Sequence, residues 1–471
     1  MTPVQYAARD GLGLAGLIRT GAVSAGEVMA AAIARAEAVN PALNAIVHAA
    51  YDEALAATPG DGPFAGVPFV VKDLGCAQAG RPMTLGSRYL ADFRAAEDSE
   101  LWRRLAAAGV VAIGRTNAPE WGLSVTTEPA LYGPTRNPWA AERSPGGSSG
   151  GTAAAVAAGI VPWGHANDGG GSIRIPASAC GLFGLKPTRA RTPAGPARSE
   201  GWCGMAIDHA ITVSVRDSAA LLDAVAGPEP GAPYAAPAPA RPFRDEVGAP
   251  PGRLRIALTA EPFDAVAVDP ECVAAVEDAA RLCAELGHEV VEARPDFDLA
   301  PYNTAKFVVV AANLAADLAE MALIRGRAPG PGELEPATRA IAGMSRMIDG
   351  AGLLAAIRRL QGVARSVGRF FTDFDVLLTP TLARPPAPLG TIRSDVEDLE
   401  TLGRMHGPFI AFTALFNVTG QPAMSVPLHV SAEGLPIGVQ FAGRFGDEAT
   451  LFRLAAQLEE ARPWAQHLPR G

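Results

Sequence analysis

The strongest constraint on how this chain folds is the character of its apolar runs. "GVPFVVKD", "VVAIGRTN", "IVPWGHA", "RLRIALTA", "HEVVEA" and "DVLLTP" are short, mostly unbroken and bounded by glycine, proline or charge. They lack the in–out alternation of a strand with one wet face, so they read as strands buried on both sides. Between them lie segments of helical character such as "DSELWRRLAAAG", "TAAAVAAG" and "RDSAALLDAVAG". Strands apolar on both faces must be covered on both faces. The pattern therefore predicts an α/β fold: three layers, α/β/α, with a central parallel or mixed sheet covered by helices. With 48% of its 471 residues apolar, the chain has enough material for a large core.

Local signals mark several elements. In "SAGEVMAAAIARAEAV", Ser24 is placed to cap a helix while Glu27 reaches back to it. Gly159 and Gly227 close helices, and further helices are expected over 270–286, 305–324, 351–371 and 448–460. "QPAMSVPLHV" and "LPIGVQFAG" read as a strand pair. The stretch 228–252 is rich in proline, alanine and glycine, which suits either an interdomain linker or a surface loop within one domain. We take the second, with 1–471 as one domain. No repeat of solenoid period is present.

The formal charge of −9 gives no general reason to bind nucleic acid or an anionic membrane. Five cysteines, an odd number with no C-x-x-C spacing, read as buried thiols in a reducing cytoplasm. The opening "MTPVQYAARDGLG" lacks the basic and apolar regions of a signal peptide. The run around Ala153–Trp163 is broken by Gly159 and Pro162, and the run from Phe307 carries Asp317 and Glu320, so neither is expected to span a bilayer. The seven histidines are scattered without metal-ligand spacing, so a zinc hydrolase is not expected.

Two motifs mislead. "GLGLAG" at Gly11–Gly16 matches a dinucleotide fingerprint, but no strand precedes it, and it reads as a helix start. Ser149, in Gly147–Gly151, matches the nucleophile elbow G-x-S-x-G, which must follow a buried strand directly; here "TRNPWAAERSPG" precedes it. His165 after an apolar run reads as a packed bystander.

The chemistry concentrates in "DGGGSIRIPASACG". Glycines let the backbone approach a ligand and let successive N–H groups converge on an anion. Ser172 sits beside those donors. Taken alone, the segment fits a nucleophile or an N-cap serine equally well. "SPGGSSGG" supplies a second glycine-lined serine, Ser148, 24 residues earlier. The chain has 40 basic residues, of which only Lys72, Lys186 and Lys306 are lysine. Arginine stays charged in proteins, whereas a desolvated lysine becomes a base. Lys72, closing the run "GVPFVVKD", invites that role; a solvated lysine or an ion pair with Asp73 is the plain alternative.

Together "GVPFVVKD", "TRNPW", "SPGGSSGG", "GGGSIRIPASACGLFGLKPT", "FNVTGQPAMSVPL" and "GLPIGVQFAG" resemble the amidase signature family over nearly the whole chain. "TTEP", "TRNPW", "HAND" and "RIPAS" are most similar to its 6-aminohexanoate-cyclic-dimer hydrolase group. The resemblance implies a Ser172 nucleophile, a bridging Ser148 joined to Gly147 by a cis peptide, and a Lys72 base. It implies an oxyanion hole from the N–H groups of Gly169, Gly170, Gly171 and Ser172, with Ser149, Asp168 and Arg174 as supports. The implied activity is hydrolysis of small linear or cyclic amides through an acyl-enzyme, with carbamates or esters as further substrates. The glutamine-hydrolysing subunit of a tRNA-dependent amidotransferase is the alternative on the same fold, and a silent binding or scaffold protein is the alternative from another class. The substrate pocket is expected from variable loops and the helix near Tyr302–Ala319. A small-molecule amide is the expected partner, and a homodimer is the default assembly.

Overall fold

The computed structural model describes residues 1–470. Its strands are β1 (Ile46–Ala49), β2 (Pro68–Lys72), β3 (Val111–Thr116), β4 (Trp163–Asp168), β5 (Phe183–Lys186), β6 (Ile207–Thr212), β7 (Arg255–Leu258), β8 (Glu289–Glu292), β9 (Val376–Pro380), β10 (Ala423–Val430) and β11 (Pro436–Gly443). All eleven join one sheet in the order β1-β3-β2-β4-β6-β5-β10-β11-β9-β7-β8. The sheet is mixed. β2 runs parallel to β3 and β4, and β7 to β8 and β9, while the central β4-β6-β5-β10-β11-β9 run is antiparallel throughout.

The two-sided burial predicted from the apolar runs is visible residue by residue. Phe69 and Val71 of β2 enter one core, which also takes Val376 and Leu378 of β9 and Phe441 of β11. Val70 enters a second core on the opposite face, with Ile113 and the alanines of helix Gly150–Ala157. Leu377 and Ala442 enter a third. Successive strand residues point to opposite faces, and here both faces are apolar because helices cover both.

The Ser24–Glu27 capping box forms at the head of helix Ala25–Leu43. The "GLGLAG" motif opens helix Gly11–Arg19; the Gly11 and Leu12 N–H groups donate to the Asp217 carboxylate at 2.7 and 2.9 Å. That helix terminus is filled from within the protein, as a plain helix start requires. The stretch 228–252 lies mostly at the surface, pinned by buried Phe243 and Glu246, and strands from both sides of it share the one sheet.

Helix Leu299–Arg325 is long and apolar enough to match a membrane span by length and composition, despite Asp317 and Glu320. In this fold it packs Tyr302, Ala305, Val309, Ala311 and Leu314 inward and lies against helices Pro336–Met344 and Gly350–Phe370. Four cysteines are buried; Cys203 departs from the expectation and is partly exposed. It sits at φ 53° in the loop after β5, next to Trp202 at φ 51°.

Candidate active site

Three segments meet at the carboxyl end of β2. Lys72 is the last residue of that strand and is fully buried. Its side chain lies on the Val70 face, under the helix that begins at Gly150. That helix approaches the sheet so closely that a Cβ at Gly151 would stand 2.5 Å from the Asn117 main chain. The turn before it carries Ser148 and Ser149, and the Gly147–Ser148 peptide is cis. β4 runs alongside β2 and ends at Asp168, so the glycine turn 169–171 and Ser172 emerge next to both.

Lys72 Nζ lies 2.7 Å from Ser148 Oγ and 2.6 Å from Asn167 Oδ1. Burial pushes the Lys72 ammonium down to about 7, against the upward pull of the Asp208 and Asp168 carboxylates. The site therefore holds a lysine that is neutral in mildly alkaline solution and in contact with a serine hydroxyl. Rarity alone does not single it out. Burial also pulls Lys186 to about 7 and lowers Lys306, but Lys186 Nζ donates to the Pro187 carbonyl and Lys306 Nζ to Asn303 Oδ1. Among the described residues only Lys72 hydrogen-bonds a serine.

Ser172 is partly exposed, and its hydroxyl makes no hydrogen bond among the described residues. The structure thus joins Lys72 to Ser148 and leaves the Ser148–Ser172 link unformed. The glycine turn is shaped by Asp168, whose carboxylate accepts from the N–H groups of Gly171 at 2.7 Å and Ile173 at 3.1 Å. The Gly171 N–H, expected among the oxyanion donors, is therefore already engaged. The Gly170 and Ser172 N–H groups make no hydrogen bond among the described residues. A Cβ on Gly170 would meet nothing within 4 Å, so open space lies above that residue.

Arg174 completes the support. All five of its N–H donors are used: Nε and Nη2 reach Asp168 at 2.9 Å, Nη1 reaches the Thr413 carbonyl and Gln440 Oε1 at 2.7 Å, and Nη2 reaches Asn417 Oδ1 at 2.6 Å. Asn417 Nδ2 in turn donates to the Asp168 carbonyl and carboxylate. Burial alone would raise the Asp168 carboxyl, but the Arg174 charge and the hydrogen bonds from Arg174 and Asn417 hold it at about 2. Ser149 Oγ donates to the Asn167 carbonyl at 3.4 Å, a supporting contact, and no strand leads directly into it. Among the described residues His165 hydrogen-bonds none of the three serines; its Nε2 pairs with Asp208 at 2.9 Å, and burial lowers its pKa.

Asn167, Asn417, Thr413 and Gln440 carry no motif signal of their own as site residues. Asn167 and Asn417 lie inside the quoted "HAND" and "FNVTG", but their roles come from contacts 95 and 243 residues away in sequence. The wall above the glycines includes Trp202, whose ring stands 2.8 Å from where a Gly169 Cβ would be. From helix Leu299–Arg325, the expected pocket helix, Asn313 Nδ2 donates to Cys203 Sγ at 3.4 Å, one residue after Trp202.

A buried lysine in contact with the Ser148 hydroxyl, and a second serine, Ser172, beside backbone N–H groups that make no hydrogen bond among the described residues, are the kinds of group a serine hydrolase uses. The family model for amidases matches residues 27–452, and the chain belongs to that family. Its activity is hydrolysis of the amide C–N bond. The 6-aminohexanoate-cyclic-dimer hydrolase of Paenarthrobacter ureafaciens is 39% identical over 481 aligned residues, covering 98% of this chain and 96% of that protein. A solved structure of 6-aminohexanoate cyclic dimer hydrolase complexed with substrate superposes with a TM-score of 0.94 at 38% identity, covering 98% of this chain and 99% of that one. A bacterial aryl acylamidase superposes with a TM-score of 0.89 at 29% identity, over 98% of each chain.

Proposed function

We propose that Ser172 is the nucleophile, Ser148 the proton carrier and Lys72 the base of this amidase. The observation that carries the reading is the 2.7 Å contact between a buried lysine, at about 7, and Ser148. Neutral Lys72 accepts the Ser148 proton as Ser148 accepts that of Ser172. Ser172 Oγ then attacks the amide carbon. The N–H groups of Gly170 and Ser172 receive the oxyanion, each worth about 3 kcal/mol in comparable sites. Ser148 passes a proton to the leaving nitrogen, and the C–N bond breaks to leave an ester on Ser172. Water repeats the sequence and releases the acid. No step asks for a metal or an organic cofactor.

The substrates we assign are small linear or cyclic amides, including lactams like the cyclic dimer of 6-aminohexanoate. Similarity to the cyclic-dimer hydrolases over nearly the full length supports this choice. The test is a hydrolysis panel with purified protein: cyclic amide dimers, linear aliphatic amides, aryl amides, carbamates and glutamine. Fastest turnover of cyclic or short linear amides supports the assignment. Glutamine as the only substrate contradicts it and favours the amidotransferase-subunit role.

A further inference from the structure

Neutral Lys72 has two N–H donors and one lone pair, and catalysis needs that lone pair to face Ser148. Among the described residues two groups hydrogen-bond Nζ: Ser148 Oγ at 2.7 Å and Asn167 Oδ1 at 2.6 Å. The orientation of the Asn167 amide follows from its other end. Nδ2 donates to the Leu74 carbonyl at 3.1 Å, and a carbonyl only accepts, so the oxygen must face Lys72. Gly75 leaves room for this arrangement. A Cβ there, at φ 74°, would stand 3.0 Å from both Asn167 Nδ2 and Asp208 Oδ1.

An amide oxygen has no proton to give and carries no charge. Lys72 must therefore donate to it, which uses one N–H and turns the lone pair away from Asn167. A hydroxyl at this place would be able to donate to Nζ and occupy the lone pair. A carboxylate would hold the ammonium form.

We propose that Asn167 is a positioning residue for the base: its side-chain oxygen takes one Lys72 N–H and so aims the Lys72 lone pair at Ser148. This rests on Lys72 and Ser172 acting as base and nucleophile. The charged and titratable groups around Lys72 are Asp208 on β6, Asp168 and His165 on β4, Arg115 on β3 and Asp73 next in the chain. Asp208 and Asp168 already favour the ammonium; a neutral partner at 167 adds no further charge to that bias.

The test uses a fluorophosphonate, which reports nucleophile activation without a chosen substrate. Its rate of labelling Ser172 is measured from about pH 5 to about pH 10 for wild type, Asn167→Leu and Asn167→Asp, with thermal unfolding of each. Leucine keeps the size and removes the acceptor; labelling is expected to slow about 100-fold with unfolding close to wild type. Aspartate adds charge; the rise of labelling with pH is expected to move up by about one to three units, with the rate recovered on its alkaline side. Labelled wild type with both variants unchanged overturns the inference alone. So does an Asn167→Asp rate depressed equally at every pH, which marks a merely structural role. Wild type that is not labelled at Ser172 overturns the nucleophile reading and this inference with it.

Discussion

Removing one member of the Asp168–Arg174 pair should cost at least as much as removing both. Asp168 and Arg174 are each fully buried. In Asp168→Asn, Arg174 keeps its charge with no counter-charge in contact. In Arg174→Met, Asp168 loses two of its donors, and Gln440 Oε1, Asn417 Oδ1 and the Thr413 carbonyl lose theirs. Breaking a buried pair this way costs about 3–5 kcal/mol, whereas removing both charges leaves no buried ion. The double variant should therefore cost no more than either single, a coupling of about 3 kcal/mol. Urea unfolding followed by circular dichroism reads this as midpoint shifts at constant slope. There is also a pH signature. The folded carboxyl lies at about 2, below its ordinary value of 3.8. Its stabilisation, about 2 kcal/mol, is therefore fully present above that ordinary value and is lost as pH falls toward 2. Asp168→Asn should lack that acid-sensitive part. Singles that each cost under about 1 kcal/mol and simply add would refute the claim that this pair holds the glycine turn.

The lysines and glycines supply contrasting pairs. With Lys72 at about 7, kcat/KM should rise with pH through that value in wild type and in Lys186→Met, although Lys186 is depressed to the same point. Lys72→Met should lose about 100-fold or more; a pH limb that moves with Lys186 would reassign the base. Gly171→Ala places a side chain at φ 136°, with its Cβ 2.4 Å from Thr413 Oγ1, and should lose both stability and kcat. Gly170→Ala meets nothing within 4 Å, so it should unfold like wild type while its methyl raises KM; the reverse order in thermal unfolding and kinetics would contradict the described turn.

Continuous apolar runs made the strands around the site readable, because burial on both faces leaves a composition signal. β2, β3, β9, β10 and β11 fall where that signal lies. β4 begins at Trp163, after Pro162 rather than within the "IV" before it, since proline cannot donate to the ladder. β6, "IDHAIT", leaves no such signal because Asp208 and His209 break its apolar run; both make side-chain contacts, with His165 and Ser218. Lys72, Ser148 and Ser172 were legible as types in suggestive settings, and their convergence came from family resemblance. What local sequence does not carry is the long-range hydrogen bonding: Asn417 is a helix residue until the fold brings it to Asp168, and the Gly171 N–H is a free donor until the Asp168 carboxylate is seen to take it.

The serine–lysine assignment is tested most directly by trapping the acyl-enzyme. Wild-type protein and Ser172→Ala are mixed with an activated amide substrate, quenched in acid and digested, and the modified peptide is located by mass spectrometry. The expected result is one acyl group on Ser172 in wild type, with neither the adduct nor turnover in Ser172→Ala. An adduct on Ser148 or Ser149, or turnover by Ser172→Ala near the wild-type rate, would contradict it.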